Sequence, residues 1–193
     1  MPQPLLGKQG VARVVSGKVR YRLPGQKKFR TMTDLTAIPN GTEIDARKGK
    51  VLLTVLHDAS GRLDGARFYA GRFIFKQGKG AVPLTTLKLT NGTLAKCRKR
   101  KPARAGAVAV AAKIPRSGGG RRLWGNGRGR FRTRGRYGAA TVRGTKWLTD
   151  DRCDGTLVRV KRGVVAVKDL QRPRKKAKLV EAGEELFVKK RGA

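Results

Sequence analysis

Acidic residues, histidine and cysteine are all scarce in this chain of 193 residues: 12 Asp and Glu stand against 47 Lys and Arg, with one histidine and two cysteines. Between Asp64 and Asp150 there is no carboxylate at all. General acid and base chemistry near neutral pH draws mainly on His and on carboxylates. The shortage argues against an enzyme, and no catalytic residue is assigned. His57 ends the apolar run VLLTVLHD and reads as a strand-end residue, because a lone histidine makes neither a triad nor a metal cluster. Glu184 and Glu185 are adjacent, so on a strand they point to opposite faces. Two distant cysteines and one histidine do not form the ligand pairs of a zinc site, so neither a metal nor a cofactor is expected.

Long apolar runs are missing as well. No stretch reaches the roughly 20 apolar residues that span a bilayer. The opening MPQPLLGKQG also lacks the apolar core, about 7 to 15 residues, of a secretory signal. With Met1 as the true start the protein reads as cytoplasmic; a module cut from a longer exported protein would look the same. GNGRGR (125–130) has neither the Gly-Lys-Ser/Thr ending nor the following helix of a phosphate loop.

Positive charge is what the chain has in excess. A formal net charge of +35 attracts any polyanion, whether nucleic acid, acidic glycan, teichoic-type polymer or anionic lipid surface. It gives the sign of a partner and not its identity. The length suits one domain or two small ones, enough to bury a core without a metal or many disulfides.

Alternation of period 2 dominates. KVRYRL (18–23) puts Val19, Tyr21 and Leu23 on one face and Lys18, Arg20 and Arg22 on the other, the pattern of a half-buried strand. KVLLTVL, RFIFKQ, LTTLKLT, RFRTR, TLVRVK and VVAVKD read the same way, and PGQK, PNGT, RKGK, ASGR, TNGT, CDGT and KRGV punctuate them as turns. The chain is all-β with hardly any helix. Its expected core comprises Val19, Tyr21, Leu52, Val55, Phe73, Phe75, Leu89, Phe131, Val142, Trp147, Val158, Val160, Val165 and Val167, while Trp124 is assigned to the surface.

One interval breaks the rhythm. Residues 98–122, RKRKPARAGAVAVAAKIPRSGGGRR, combine a basic run, an Ala/Val repeat and a glycine triplet, and Pro102 and Pro115 interrupt any helix. This reads as a flexible connector between two β-rich halves, 11–97 and 123–190, after a short tail, 1–10. The halves look related: GTEIDARKGKVLLTV with AGRFIFKQ parallels GTKWLTDDRCDGTLVRV with RGVVAVKD, and turn glycines Gly71 and Gly163 correspond. Repetition of a β-unit suggests stacking into a twisted β-solenoid or a layered sheet.

The segments IPNGTEIDARKGKVLLTV, FYAGRFIFKQ, ATVRGTKW, TLVRVKRGVVAV and LVEAGEELFV together resemble the FecR-type domain, a β-rich extracytoplasmic module of bacteria. The resemblance covers most of residues 11–190 apart from the connector. It implies a non-enzymatic module of the cell envelope with a binding, structural or signal-receiving role. The expected partner is an anionic envelope polymer or another surface protein. The cytoplasmic segment and membrane helix of the family's sigma-factor regulators have no counterpart here, which places that role in doubt. An exported setting further implies a disulfide between Cys97 and Cys153, on the order of 4 kcal/mol in the chain-entropy picture; in a reducing cytoplasm the two would be thiols.

RGRFRTRGRYGAATVRGTKW (128–147) poses the functional question. Arg130, Arg132 and Arg134 share one strand face and Phe131 takes the other, which leaves a cationic ladder without the exposed aromatics on which bases stack. Arg121, Arg122, Arg128, Arg130, Arg132, Arg134 and Arg136 all lie in the acid-free interval, and are expected to form a weak, unspecific site for polyanions. A cytoplasmic RNA- or DNA-binding protein is the alternative. The Arg-Gly-Thr at 143–145 reads as a turn.

Overall fold

The computed structural model describes residues 1–90 and 120–192. Among them no helix occurs, and thirteen strands join in one hydrogen-bonded sheet. Four strands are 14 residues long: β1 (Gln9–Arg22), β4 (Glu43–Leu56), β8 (Arg121–Arg134) and β9 (Gly138–Asp151). Strands of that length must bend to enclose a core, and bulges supply the bend. In β1 the register shifts between Val14 and Ser16, beside Gly17 at φ 67°, and in β8 between Arg128 and Phe131, at Gly129, φ 118°. The short β2 (Arg30–Thr31) and β3 (Thr36–Pro39) pair with β1.

β5 (Leu63–Tyr69) and β6 (Arg72–Gln77) lie end to end along one edge of β4, broken only at Ala70 and Gly71. The edge stays paired through the break, because the Ala46 N–H donates to Gly71 O at 2.9 Å and the Ala70 N–H to Ala46 O at 3.0 Å. Glycine is required at 71: a Cβ there would stand 2.0 Å from Arg122 O. The far edge of β5 takes β8, and that of β6 takes β7 (Thr85–Leu89). β7 and the C-terminal half of β8 then pair in parallel, which closes a barrel of five strands, β4, β5, β8, β7 and β6. Phe68, Phe73, Phe75, Leu87 and Phe131 fill it, each contributing about 1.5–3 kcal/mol of burial. Phe68 meets the edges of Phe131 and Trp147 at 5.5 and 5.9 Å between ring centroids.

The second half repeats this plan. β10 (Gly155–Arg162) and β11 (Val165–Asp169) lie end to end on β9, with the break at Gly163, φ 76°. β12 (Lys178–Val180) pairs with β11, and β13 (Glu185–Lys189) pairs with β10. β8 serves both halves, and a single buried cluster runs from Ala12 to Val188. Two related β halves sharing one core make a layered sheet; that is the form taken here, in place of a solenoid.

Several sequence assignments need correction. Gly71 and Gly163 do correspond, but KVLLTV lies in β4 and TLVRV in β10, the counterpart of β5; the true repeat sets DGARFYAGRFIFKQ against DGTLVRVKRGVVAVKD. RKGK and Arg-Gly-Thr are not turns but mid-strand residues of β4 and β9, because both strands are long enough to run through them. Arg121 and Arg122 open β8 and do not end the connector. Residues 98–119 of that segment lie outside the described residues, as do Asn91 and Cys97, so the Cys97–Cys153 pairing is not placed. Gln9 and Gly10, assigned to the tail, already belong to β1. Leu52 is half-buried on the outer face, since the strand's alternation sends Val51, Leu53 and Val55 inward. Tyr21 is also half-buried, packed against the core, and the other expected core residues are buried.

Candidate anion-binding surface

Four of the few carboxylates, Glu43, Asp45, Asp150 and Asp151, sit where the long strands end, and they pin arginines. At the start of β4, Glu43 accepts from Arg22, Arg72 and Thr90, while Asp45 accepts from Arg20 and Arg47. Burial pushes both carboxyls up, but these hydrogen bonds outweigh it and hold both below the ordinary carboxylate range. Phe29 lies under the guanidinium groups of Arg20, Arg22 and Arg72, at 5.6, 5.0 and 4.5 Å. At the end of β9, Asp151 is wholly buried and accepts from Arg121, from Thr156 Oγ1 at 2.6 Å and from the Arg136 N–H at 2.8 Å. Its neighbour Asp150 holds Arg152 at 2.9 Å and Arg122 at 3.3 Å.

The seven arginines expected to act together therefore separate. Arg121 is paired with the buried Asp151, and Arg122 shares Asp150 with Arg152. An interval without acids in sequence is not one in space, because the antiparallel β8–β9 pairing sets Arg121 opposite Asp151 and Arg122 opposite Asp150. Arg130 is held at the barrel seam, its N–H donating to Asp64 and its guanidinium to Val82 O. Beside it His57 lies 3.0 Å from Asp64 directly after β4, the strand-end position read from the sequence. Arg136 lies over Tyr137 at 5.9 Å. Arg132 and Arg134 face outward on β8, where Arg132 donates to Thr141 Oγ1 at 3.1 Å. Burial and then the Arg134 charge push the Arg132 guanidinium below its ordinary value. Only Arg128 joins a larger group of cations.

That group covers the outer face of the sheet across β1, β4, β5, β8, β9 and β10. Register places Arg13, Leu52, Arg67, Asn126, Lys146 and Arg162 side by side in one row, with strands about 4.8 Å apart. The adjacent row on one side is Thr54, Gly65, Arg128 and Gly144. Because Gly65 and Gly144 carry no side chains, the face sinks there into a trough of about 780 Å³, lined by Arg67, Arg128 and Arg162 and by no carboxylate. Arg67, Arg128 and Lys146 make no ion pair among the described residues, and Arg162 donates to Asn126 Oδ1 at 3.1 Å.

The row on the other side is Lys50, Tyr69, Trp124, Leu148 and Arg159. The Tyr69 and Trp124 rings stack at 6.2 Å, 6° from parallel, and Lys50 Nζ lies 5.5 Å from the Tyr69 centroid. Burial pushes the Tyr69 phenol up, so it stays neutral. Trp124 is half-buried on this face and Trp147 fully buried, as the sequence indicated. Sequence reasoning missed the trough and the aromatic pair, since Tyr69 and Trp124 lie in different halves and meet only through the β5–β8 pairing.

Among the described residues no group of His, Cys, Asp and Glu could hold a metal ion, and no helix is long and apolar enough to cross a membrane. No protein-family model, curated protein or solved structure matches the chain.

Proposed function

We propose that this is a non-enzymatic module that binds anionic polymers through the glycine-floored trough on its outer face. The observation that supports this is the grouping of Arg67, Arg128, Arg162 and Lys146 around a hollow that no carboxylate lines. Cations unpaired by protein carboxylates attract a polyanion without first giving up an internal partner. Contacts of this kind position a charged chain without reading its sequence. The motif resemblance supports a place for the module in the bacterial cell envelope, as a FecR-like binding, structural or signal-receiving part facing an anionic envelope polymer or another surface protein. A Cys97–Cys153 crosslink belongs to that same proposal, and peptide mapping of protein from its native compartment tests it. An in-frame export signal or anchor in the gene supports the envelope setting; its absence, with Met1 as the start, counts against it.

Titration with dextran sulfate and with neutral dextran tests the binding. Sulfated polymer is expected to bind with an affinity that falls steeply with salt, and neutral polymer not to bind. Binding of dextran sulfate that persists at about 1 M salt, where the screening length is about 3 Å, would overturn the reading.

A second reading, single-stranded nucleic acid, is favoured by one observation: the Tyr69–Trp124 pair lies half-exposed beside Lys50 and Arg67. Aromatic rings among cations are the elements of a base-stacking platform.

A further inference from the structure

Past the bulge at Gly129, the outer face of the sheet carries a separate cavity of about 420 Å³. Register places Arg132, Thr141, Ala166 and Leu179 side by side in one row across β8, β9, β11 and β12, and Arg134, Ala139 and Lys168 in the next. Alternation turns these side chains away from the core, since Thr133, Ala140, Val142 and Val167 take the inner face and are buried. The loop after β11 covers part of this face, and Ala139 is buried although it points outward. Leu170, Pro173 and Ala177 form the loop's apolar side of the cavity, and Arg132, Thr141 and Lys168 are the polar groups on the strands.

Arg132 is half-buried in this wall, and its Nε donates to Thr141 Oγ1 at 3.1 Å. Its two terminal nitrogens have no hydrogen-bond partner among the described residues. Lys168 is latched to the loop, its Nζ donating to Lys175 O. Neither cation has an ion pair among the described residues, and no carboxylate stands in either row. Asp169 borders the cavity, but alternation turns its side chain to the opposite face, with Val167, where its Oδ1 accepts the Gln171 N–H at 2.9 Å. Because Thr141 Oγ1 accepts from Arg132, its own proton is free to be donated. A guanidinium partly removed from water beside a like charge, here Arg134, is relieved on both counts by a bound anion. Its free terminal pair matches the two oxygens of a carboxylate.

We propose that this cavity binds a small organic acid, its carboxylate held by Arg132 and Thr141 and its hydrocarbon body lying against Ala166, Leu170 and Ala177. Small-molecule sites are concave and mostly apolar, with a few placed polar groups that fix orientation, and the lining follows that division. A long polyanion would leave the apolar side unused, whereas a carboxylate on a short hydrocarbon body uses both sides. The proposal is independent of the trough, which shares no lining residue with this cavity.

The probe is octanoate, titrated at constant ionic strength into nitrogen-15-labelled full chain, with acetate and octanol as controls. Octanoate is expected to shift the Arg132 Nε–H and the amides of residues 139–141 and 166–170. Acetate lacks the hydrocarbon body and octanol lacks the charge, so each should bind about tenfold more weakly or less. Arg132→Gln should weaken octanoate binding about tenfold, and Arg132→Lys, which keeps the charge without the fork, should not restore it. Ala177→Leu narrows the cavity with no change of charge and is expected to weaken binding as well. Acetate binding as well as octanoate would mean charge alone, and octanol doing so would mean apolar contact alone; either result overturns the proposal. Undiminished binding by Arg132→Gln or Ala177→Leu, shifts confined to the trough, or no shifts at all overturn it too. A variant with Arg67→Gln, Arg128→Gln and Arg162→Gln should keep its affinity for octanoate while losing that for dextran sulfate, so the two readings fail separately.

Discussion

Asp64 accepts the backbone N–H of Arg130 at 2.9 Å, across 66 positions of the chain, while both its oxygens lie 3.0 Å from His57 Nδ1. The contact sits where β8 leaves β5 and takes up β7, between the pairs Gly65–Arg128 and Thr85–Phe131. A single buried carboxylate thus satisfies the bulge that lets one strand close the barrel. Removing it leaves the Arg130 N–H without its partner, so Asp64→Ala is expected to cost about 1–3 kcal/mol. Gly129→Ala should also destabilise, because φ is 118° and the new Cβ would stand 2.3 Å from the Asp64 carboxyl carbon. Urea denaturation measures both; an unchanged midpoint for Asp64→Ala would show that the seam closes without it.

Acid should weaken the first half through Glu43 and Asp45. Both are held below their ordinary values in the folded state by arginines, so the unfolded chain takes up protons first as pH falls. Their contribution is therefore complete above the ordinary carboxylate range, near pH 4, and drains away as pH drops toward their folded values. The melting temperature is expected to hold between about pH 7 and 5 and to fall below about pH 4. In a Glu43→Gln, Asp45→Asn variant that fall should be smaller, and an identical acid limb in both proteins would remove these two groups as its cause.

Period-2 alternation made the class of fold and most of its core readable, because each strand keeps one face dry: Phe73, Phe75, Phe131 and Val165 are all where their spacing puts them. Leu52 shows the boundary of that method. In VLLTVL the inward set is Val51, Leu53 and Val55, and Leu52 falls in the other set with Thr54 and Leu56, so a leucine taken singly does not say which face it occupies. Neither does alternation carry register between distant strands. That Arg121 meets Asp151, and Tyr69 meets Trp124, depends on pairings across 30 and 55 residues, which local spacing does not encode. The site was therefore half legible: its charge and Arg128 were in the sequence, while its shape comes from two glycines, Gly65 and Gly144, on two strands.

Arginines that look equivalent in sequence should behave in opposite ways. Arg121 is paired with a fully buried Asp151, so Arg121→Gln strands a buried charge and is expected to cost about 3–5 kcal/mol of stability with little change in polymer binding. Arg128 is exposed and has no ion pair among the described residues, so Arg128→Gln should fall within about ±0.5 kcal/mol in stability. It should weaken dextran sulfate binding and lower its salt dependence by about one released counterion. Parallel thermal melts and salt-dependent titrations check both; a shallower salt slope for Arg121→Gln would mean that the buried pair opens to the polymer.

The Tyr69–Trp124 pair separates the two functional readings. Its rings stand on neighbouring strands, stacked on each other at 6.2 Å, with Lys50 against the second face of Tyr69 and Leu148 next to Trp124 in the row. Each ring thus gives one face to the other, and Lys50 lies over Tyr69 as well. A base stacks on a ring face, and such stacking contributes about 1–3 kcal/mol per base, so rings that already give a face to each other, with Lys50 over Tyr69, should gain little of it. Trp124→Ala is accordingly expected to lower stability by the value of a cross-strand aromatic pair, about 0.2–1 kcal/mol, and to leave dextran sulfate binding unchanged. Poly-uridylate of matched charge should bind this variant and the parent chain equally. A loss of poly-uridylate affinity in Trp124→Ala, with dextran sulfate unaffected, would show bases stacking on the pair and make single-stranded nucleic acid the better reading.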